Sequence, residues 1–128
     1  MSVSGSMSPA HEQDCDPQHP TPVMTIHGAR DSYFNYQGGY YLSMDAVTQY
    51  WTSFNQTQNT LPLEQVTDSN NNYVIDKFSY TGGANGSIVD HYKVNGGFHT
   101  WFDIEFKGNS TEELIWNFVS SFDVNGAL

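Results

Sequence analysis

The chain has 128 residues, with 14 Asp plus Glu against 4 Lys plus Arg and a formal net charge of −10. That length allows one domain with a real core. The charge excludes nucleic acid and anionic membrane surfaces as partners, because both select clustered positive charge.

Eight Tyr, eight Phe and three Trp are too many for a disordered acidic segment. No apolar run approaches the ~20 residues of a bilayer span. Residues 1–22 are small and polar, punctuated by Pro9, Pro17, Pro20 and Pro22. They read as a short β segment around Val3 followed by an extended loop. Val23-Met24-Thr25-Ile26-His27, closed by Gly28, is a nearly continuous apolar run. Such a run reads as a strand buried on both faces, which favours a parallel sheet covered by helices. Residues 28–39 read as loop. From Met44 to Phe54 the apolar positions Met44, Val47, Trp51 and Phe54 step at helical spacing, with Ser43 as N-cap and Asp45 in the first turn. Residues 55–72 read as loop ending in a polar run. Tyr73–Tyr80 and Ser87–Val94 read as strands joined by a glycine-rich hairpin turn. After the aromatic loop Asn95–Trp101, a helix is expected over Thr111–Phe122, with Ser110 and Glu113 as a capping box. The order is β, loop, α, β, β, loop, α, and the expected fold class is α/β.

Two residues stand where chemistry is usually placed. Asp31 follows the buried strand, and His99 follows the second hairpin strand in a Gly-Gly loop beside Phe98 and Trp101. Ligands of open α/β sheets bind outside the carboxyl ends of the strands. A histidine is the natural general base near neutral pH, and a carboxylate fixes its tautomer. Plain duties fit as well: Asp31 could cap a turn, and His99 could be an ordinary loop histidine.

Pro22-Val23-Met24-Thr25-Ile26-His27-Gly28-Ala29-Arg30-Asp31, followed by Tyr36-Gln37-Gly38-Gly39, resembles the P-V-x-x-x-H-G-x-x-D … Y-x-G-G signature of the polyhydroxybutyrate depolymerase-like esterases. These α/β-hydrolases include feruloyl and acetylxylan esterases. Trp51-Thr52-Ser53-Phe54-Asn55 resembles the family's W-x-x-x-N, and Gly96-Gly97-Phe98-His99-Thr100-Trp101 its catalytic-histidine loop. Val3-Ser4-Gly5-Ser6 resembles the strand before the acid loop, so the resemblance covers nearly the whole chain. It implies the carboxy-terminal part of an α/β-hydrolase that cleaves carboxylic esters. Asp31 would be the triad acid, His99 the base, and Trp101 and Tyr36 substrate-binding. No cofactor is implied. The substrate would be a small or polymeric ester, either oligo-(3-hydroxybutyrate) or feruloyl and acetyl esters of plant polysaccharide. The resemblance also implies a secreted or periplasmic protein, although the opening MSVSGSMSPA lacks the basic start and apolar stretch of a signal peptide.

No G-x-S-x-G nucleophile elbow occurs in the sequence. Ser4, Ser6 and Ser8 read as loop serines. The sequence therefore reads as one portion of a single hydrolase domain, residues 1–22 being a lead-in and 23–128 carrying acid loop, helix, hairpin, histidine loop and last helix. Its partner would be the missing amino-terminal half, and without that half the strand Val23–His27 is expected to have unpaired edges. The alternative is a non-catalytic module binding an ester or glycan through Tyr33, Tyr36, Trp101 and Phe102. A third option is an esterase working with another nucleophile.

Relatives of this kind often carry a disulfide at the positions of Thr57 and Gly83, absent here as a pair, and any partner of Cys15 would lie in the missing half. Asp68-Ser69-Asn70-Asn71-Asn72 with Asp76 half-matches a calcium loop but reads as a polar turn, since Tyr73 and Ser79 replace its Gly and Glu. Three glycosylation sequons carry little weight. His11, His19 and His91 read as surface residues.

Overall fold

A computed structural model describes residues 1–128. Its centre is a mixed sheet with helices on both faces, an α/β arrangement. Strands β1 (Ser2–Val3), β2 (Val23–Gly28) and β6 (Val89–Asn95) run parallel in the order β1-β2-β6. Strand β5 (Val74–Thr81) pairs antiparallel with β6, and β3 (Asn59–Thr60) and β4 (Glu64–Thr67) line its outer side. Every residue of β2 is buried, as its apolar run predicts. Contrary to expectation, β2 has no open edge, because β6 covers one side and β1 the other.

Alternation along β2 separates two packing layers. Met24 and Ile26 face a core of Ile75, Tyr92, Val94, Phe102, Ile104, Phe106 and Leu114. Leu114 comes from the helix α3 (Thr111–Val119), whose start is fixed by the expected Ser110–Glu113 capping box. Thr25 and His27 face the opposite side, toward Tyr36 and the helix α2 (Met44–Asn55). Met44 and Val47 of α2 pack with Tyr36 in a second, smaller core. Ser43 caps α2 by accepting from the Ala46 N–H.

Several expectations need correction. The lead-in holds a short helix, α1 (Pro9–Asp14), capped by Ser8 with Pro at its first position. The segment read as a loop over 55–72 contains β3 and β4, two short strands whose mainly polar residues give no apolar–polar alternation to read. Helix α3 stops at Val119, and Phe122 begins a small hairpin, β9 (Phe122–Asp123) with β10 (Gly126–Ala127). A second small hairpin, β7 (Glu105–Phe106) with β8 (Asn109–Ser110), precedes α3.

His91 is not a surface residue. It sits on β6, 3% exposed, with Nδ1 2.7 Å from the Thr25 hydroxyl and Nε2 2.8 Å from that of Tyr36. Asp68 is buried at a turn, where its carboxylate accepts from the backbone N–H groups of Asn70, Asn71 and Glu105. No helix is long and apolar enough to cross a membrane.

Candidate active site

Strands β2 and β6 lie side by side and parallel, so the loops that leave them emerge at the same end of the sheet. The β2 loop carries Asp31 and the β6 loop carries His99. Backbone hydrogen bonds tie the two loops together: Ala29 N–H donates to Val94 C=O at 2.9 Å, and Arg30 N–H to Gly97 C=O at 2.8 Å. This close approach needs Gly28. A Cβ there would stand 2.4 Å from the Gly97 carbonyl oxygen and 2.6 Å from that of Phe98. Both are backbone atoms that cannot swing away. Gly28→Ala is therefore expected to push the loops apart and cost about 1–3 kcal/mol. Chemical denaturation checks the stability, and an unchanged midpoint would contradict the tight approach.

Asp31 is buried, and its carboxylate is organised by its own loop. Oδ1 accepts from the N–H groups of Tyr33 at 2.9 Å and Phe34 at 2.8 Å, an Asx-type turn. Oδ2 lies 2.9 Å from Nδ1 of His99 and 3.4 Å from Nε2 of His27. Burial by itself would raise this carboxyl, but the His99 hydrogen bond, the Phe34 and Tyr33 N–H groups and His27 outweigh it and hold it below the ordinary value. Asp31 is thus an anion at neutral pH, and an anion only accepts. The proton between the two side chains therefore belongs to His99 Nδ1. Neutral His99 then carries a free lone pair on Nε2, the form a general base needs.

The His99 side chain is about one-third exposed, at 34%. Its ring rests beside Tyr33 and Phe34, at centroid distances of 5.0 Å and 5.5 Å. Together with Val3, Ser4, Phe34, Thr100 and Trp101 it lines an open depression of about 360 Å³. Trp101 is exposed there. The most enclosed hollow lies elsewhere, about 280 Å³ between α2 and β5, and includes neither Asp31 nor His99. The open depression is the hollow lined by the imidazole of a hydrogen-bonded carboxylate–imidazole pair.

The other predicted residues separate. Tyr36 is 4% exposed, bonded to His91, and lies outside the depression. Phe102, proposed for the binding alternative, is a core residue at 1% exposure. Ser4 does reach the depression, with a left-handed φ of 55° directly after β1. Its hydroxyl donates to the Thr100 carbonyl at 2.6 Å and not to the imidazole, so it lacks the base contact an activated nucleophile requires. No group of three or more His, Cys, Asp or Glu side chains is arranged to hold a metal. The backbone roles of Tyr33 and Phe34 were missed from sequence, although an Asp in a loop is an Asx-turn signal whatever side chains follow it. No protein-family model matches the chain, and no curated protein matches it.

Proposed function

We propose that Asp31 and His99 are the acid and base of a Ser-His-Asp carboxylic-ester hydrolase, built on the carboxy-terminal part of an α/β-hydrolase fold. The observation that carries this reading is the 2.9 Å contact between Asp31 Oδ2 and His99 Nδ1, with the His99 side chain lining an open depression. The parallel strands that deliver the two residues, acid before base, agree with the hydrolase chain order Ser…Asp…His. The motif resemblance to polyhydroxybutyrate depolymerase-like and feruloyl esterases supports the same reading and suggests an ester of hydroxybutyrate or of plant polysaccharide as substrate.

In the mechanism, the nucleophile comes from polypeptide outside these 128 residues. It adds beside β1, whose outer side is the free edge of the parallel strands. His99 Nε2 takes the serine proton as the hydroxyl attacks the ester carbonyl, then returns it to the leaving alcohol. Asp31 holds the imidazole in the Nδ1–H form and stabilises its cation. In the second half, His99 deprotonates the water that releases the acid. A fluorophosphonate, which labels activated serines, tests this division of labour. The 128-residue chain should remain unlabelled, while a longer polypeptide including the nucleophile should be labelled at the serine of a G-x-S-x-G. Labelling of the short chain itself, at Ser4 or elsewhere, would contradict it.

A second reading is favoured by one observation. Tyr33, Tyr40, Phe98 and Trp101 are all exposed on the two loops around His99. An aromatic rim of this kind could bind an ester or glycan without turnover. It predicts a chain that is monodisperse alone and binds such ligands unaided.

A further inference from the structure

We propose that His27 is the positioning residue of the acid loop, holding Asp31 in the orientation that receives His99. The proposal rests on the acid–base reading above and extends it to a side chain that touches neither substrate nor solvent.

His27 is 0% exposed on β2. Its Nε2 lies 2.7 Å from the carbonyl oxygen of Phe34, and a carbonyl only accepts, so Nε2 carries the proton. The same nitrogen lies 3.4 Å from Asp31 Oδ2. Phe34 is therefore held from both sides: its carbonyl by His27, and its N–H by Asp31 Oδ1 at 2.8 Å. His27 thus reaches Asp31 through the backbone of Phe34, and His99 bonds the carboxylate's other oxygen. The carboxylate accepts three hydrogen bonds, from the Tyr33 and Phe34 N–H groups on Oδ1 and from His99 on Oδ2, while His27 Nε2 spends its proton on the Phe34 carbonyl.

The second ring nitrogen shows why the donor is fixed. His27 Nδ1 is buried and has no hydrogen-bond partner. Only a ring with a proton on Nε2 can serve the Phe34 carbonyl, because Nδ1 meets no partner at all. An apolar side chain of similar bulk would fill the space equally well, so the donor is what distinguishes histidine from leucine here.

The test uses the full chain with ¹⁵N-labelled histidine and reads the His99 Nδ1–H resonance and its rate of exchange with solvent. In the wild type this proton should be observable and protected. In His27→Leu, which keeps bulk and loses the donor, exchange should speed up at least tenfold, the equivalent of one lost hydrogen bond. In His27→Gln, whose Nε2 amide can reach the Phe34 carbonyl, protection should return. A role in packing alone predicts the reverse ranking, with leucine better than glutamine. Wild-type protection in the leucine variant would overturn the proposal. Should the leucine variant fail to fold, the glutamine variant decides alone: retained protection supports His27 as the donor, and loss in an intact fold overturns it. Absence of a protected Nδ1–H in the wild type would instead sink the underlying pairing of Asp31 with His99.

Discussion

In a polypeptide that supplies the proposed nucleophile, His99→Ala and Asp31→Asn should each lower kcat by at least ~10³-fold, with KM little changed. The two losses have different causes. His99→Ala removes the group that accepts and returns the proton. Asp31→Asn keeps the shape and reverses the polarity of one contact. The Tyr33 and Phe34 N–H groups require an acceptor at the Oδ1 position, so the asparagine carbonyl stays there. Its NH₂ then faces His99 Nδ1 and donates to it. The imidazole must answer with its other tautomer, which puts the proton on Nε2 and removes the lone pair that acts as base. Hydrolysis of p-nitrophenyl butyrate, together with a folded-state check, measures both. Near-wild-type rates in either variant would refute the assignment.

Acid should unfold the protein, and His91 is the main reason. Burial, followed by the nearby His27 and Lys93, pushes its imidazole from 6.5 down to about 3. The folded chain therefore holds it neutral while the unfolded chain protonates it below pH 6.5. Its stabilisation is complete above that value and is lost steadily as pH falls from 6.5 toward 3. Between pH 7 and 4.5 the loss from this one group is on the order of 2–3 kcal/mol, a large part of the roughly 5–15 kcal/mol that holds a domain together. Asp31, held below its ordinary 3.8, adds a further loss as pH falls below that value. Urea midpoints at pH 7 and 4.5 should drop accordingly in the wild type. In His91→Gln, which can still bond Thr25 or Tyr36, the drop should be much smaller. A wild-type midpoint that ignores pH over this range would contradict the buried neutral imidazole.

The same residue marks where sequence reasoning stopped. Val89, His91 and Lys93 alternate on β6, so the strand's parity points His91 toward the face of Thr25 and His27. A histidine among polar neighbours reads as exposed until Tyr36 is known to lie across it. For Tyr36, a binding role is what the family resemblance implies. Its hydroxyl is instead spent on His91, and Lys93 stacks over its ring at 4.8 Å. Elements with a strong local signal were legible. The apolar run of β2, the Ser43 and Ser110 caps, and the stripes of α2 and α3 each have a local cause in their own residues. The strands β3 and β4 have none, since their pairing to β5 supplies the order that their sequence lacks. Asp31 and His99 were legible by position, but their contact depends on loops brought together by Gly28 and Gly97, which only the folded chain displays.

The most direct measurement is to read the coding DNA upstream of Met1 in all three frames. The account predicts an open or frameshifted frame encoding a strand followed by G-x-S-x-G, in which Asp31 and His99 complete the triad. Upstream DNA with no hydrolase sequence would contradict it and leave the aromatic rim as a site for binding without turnover.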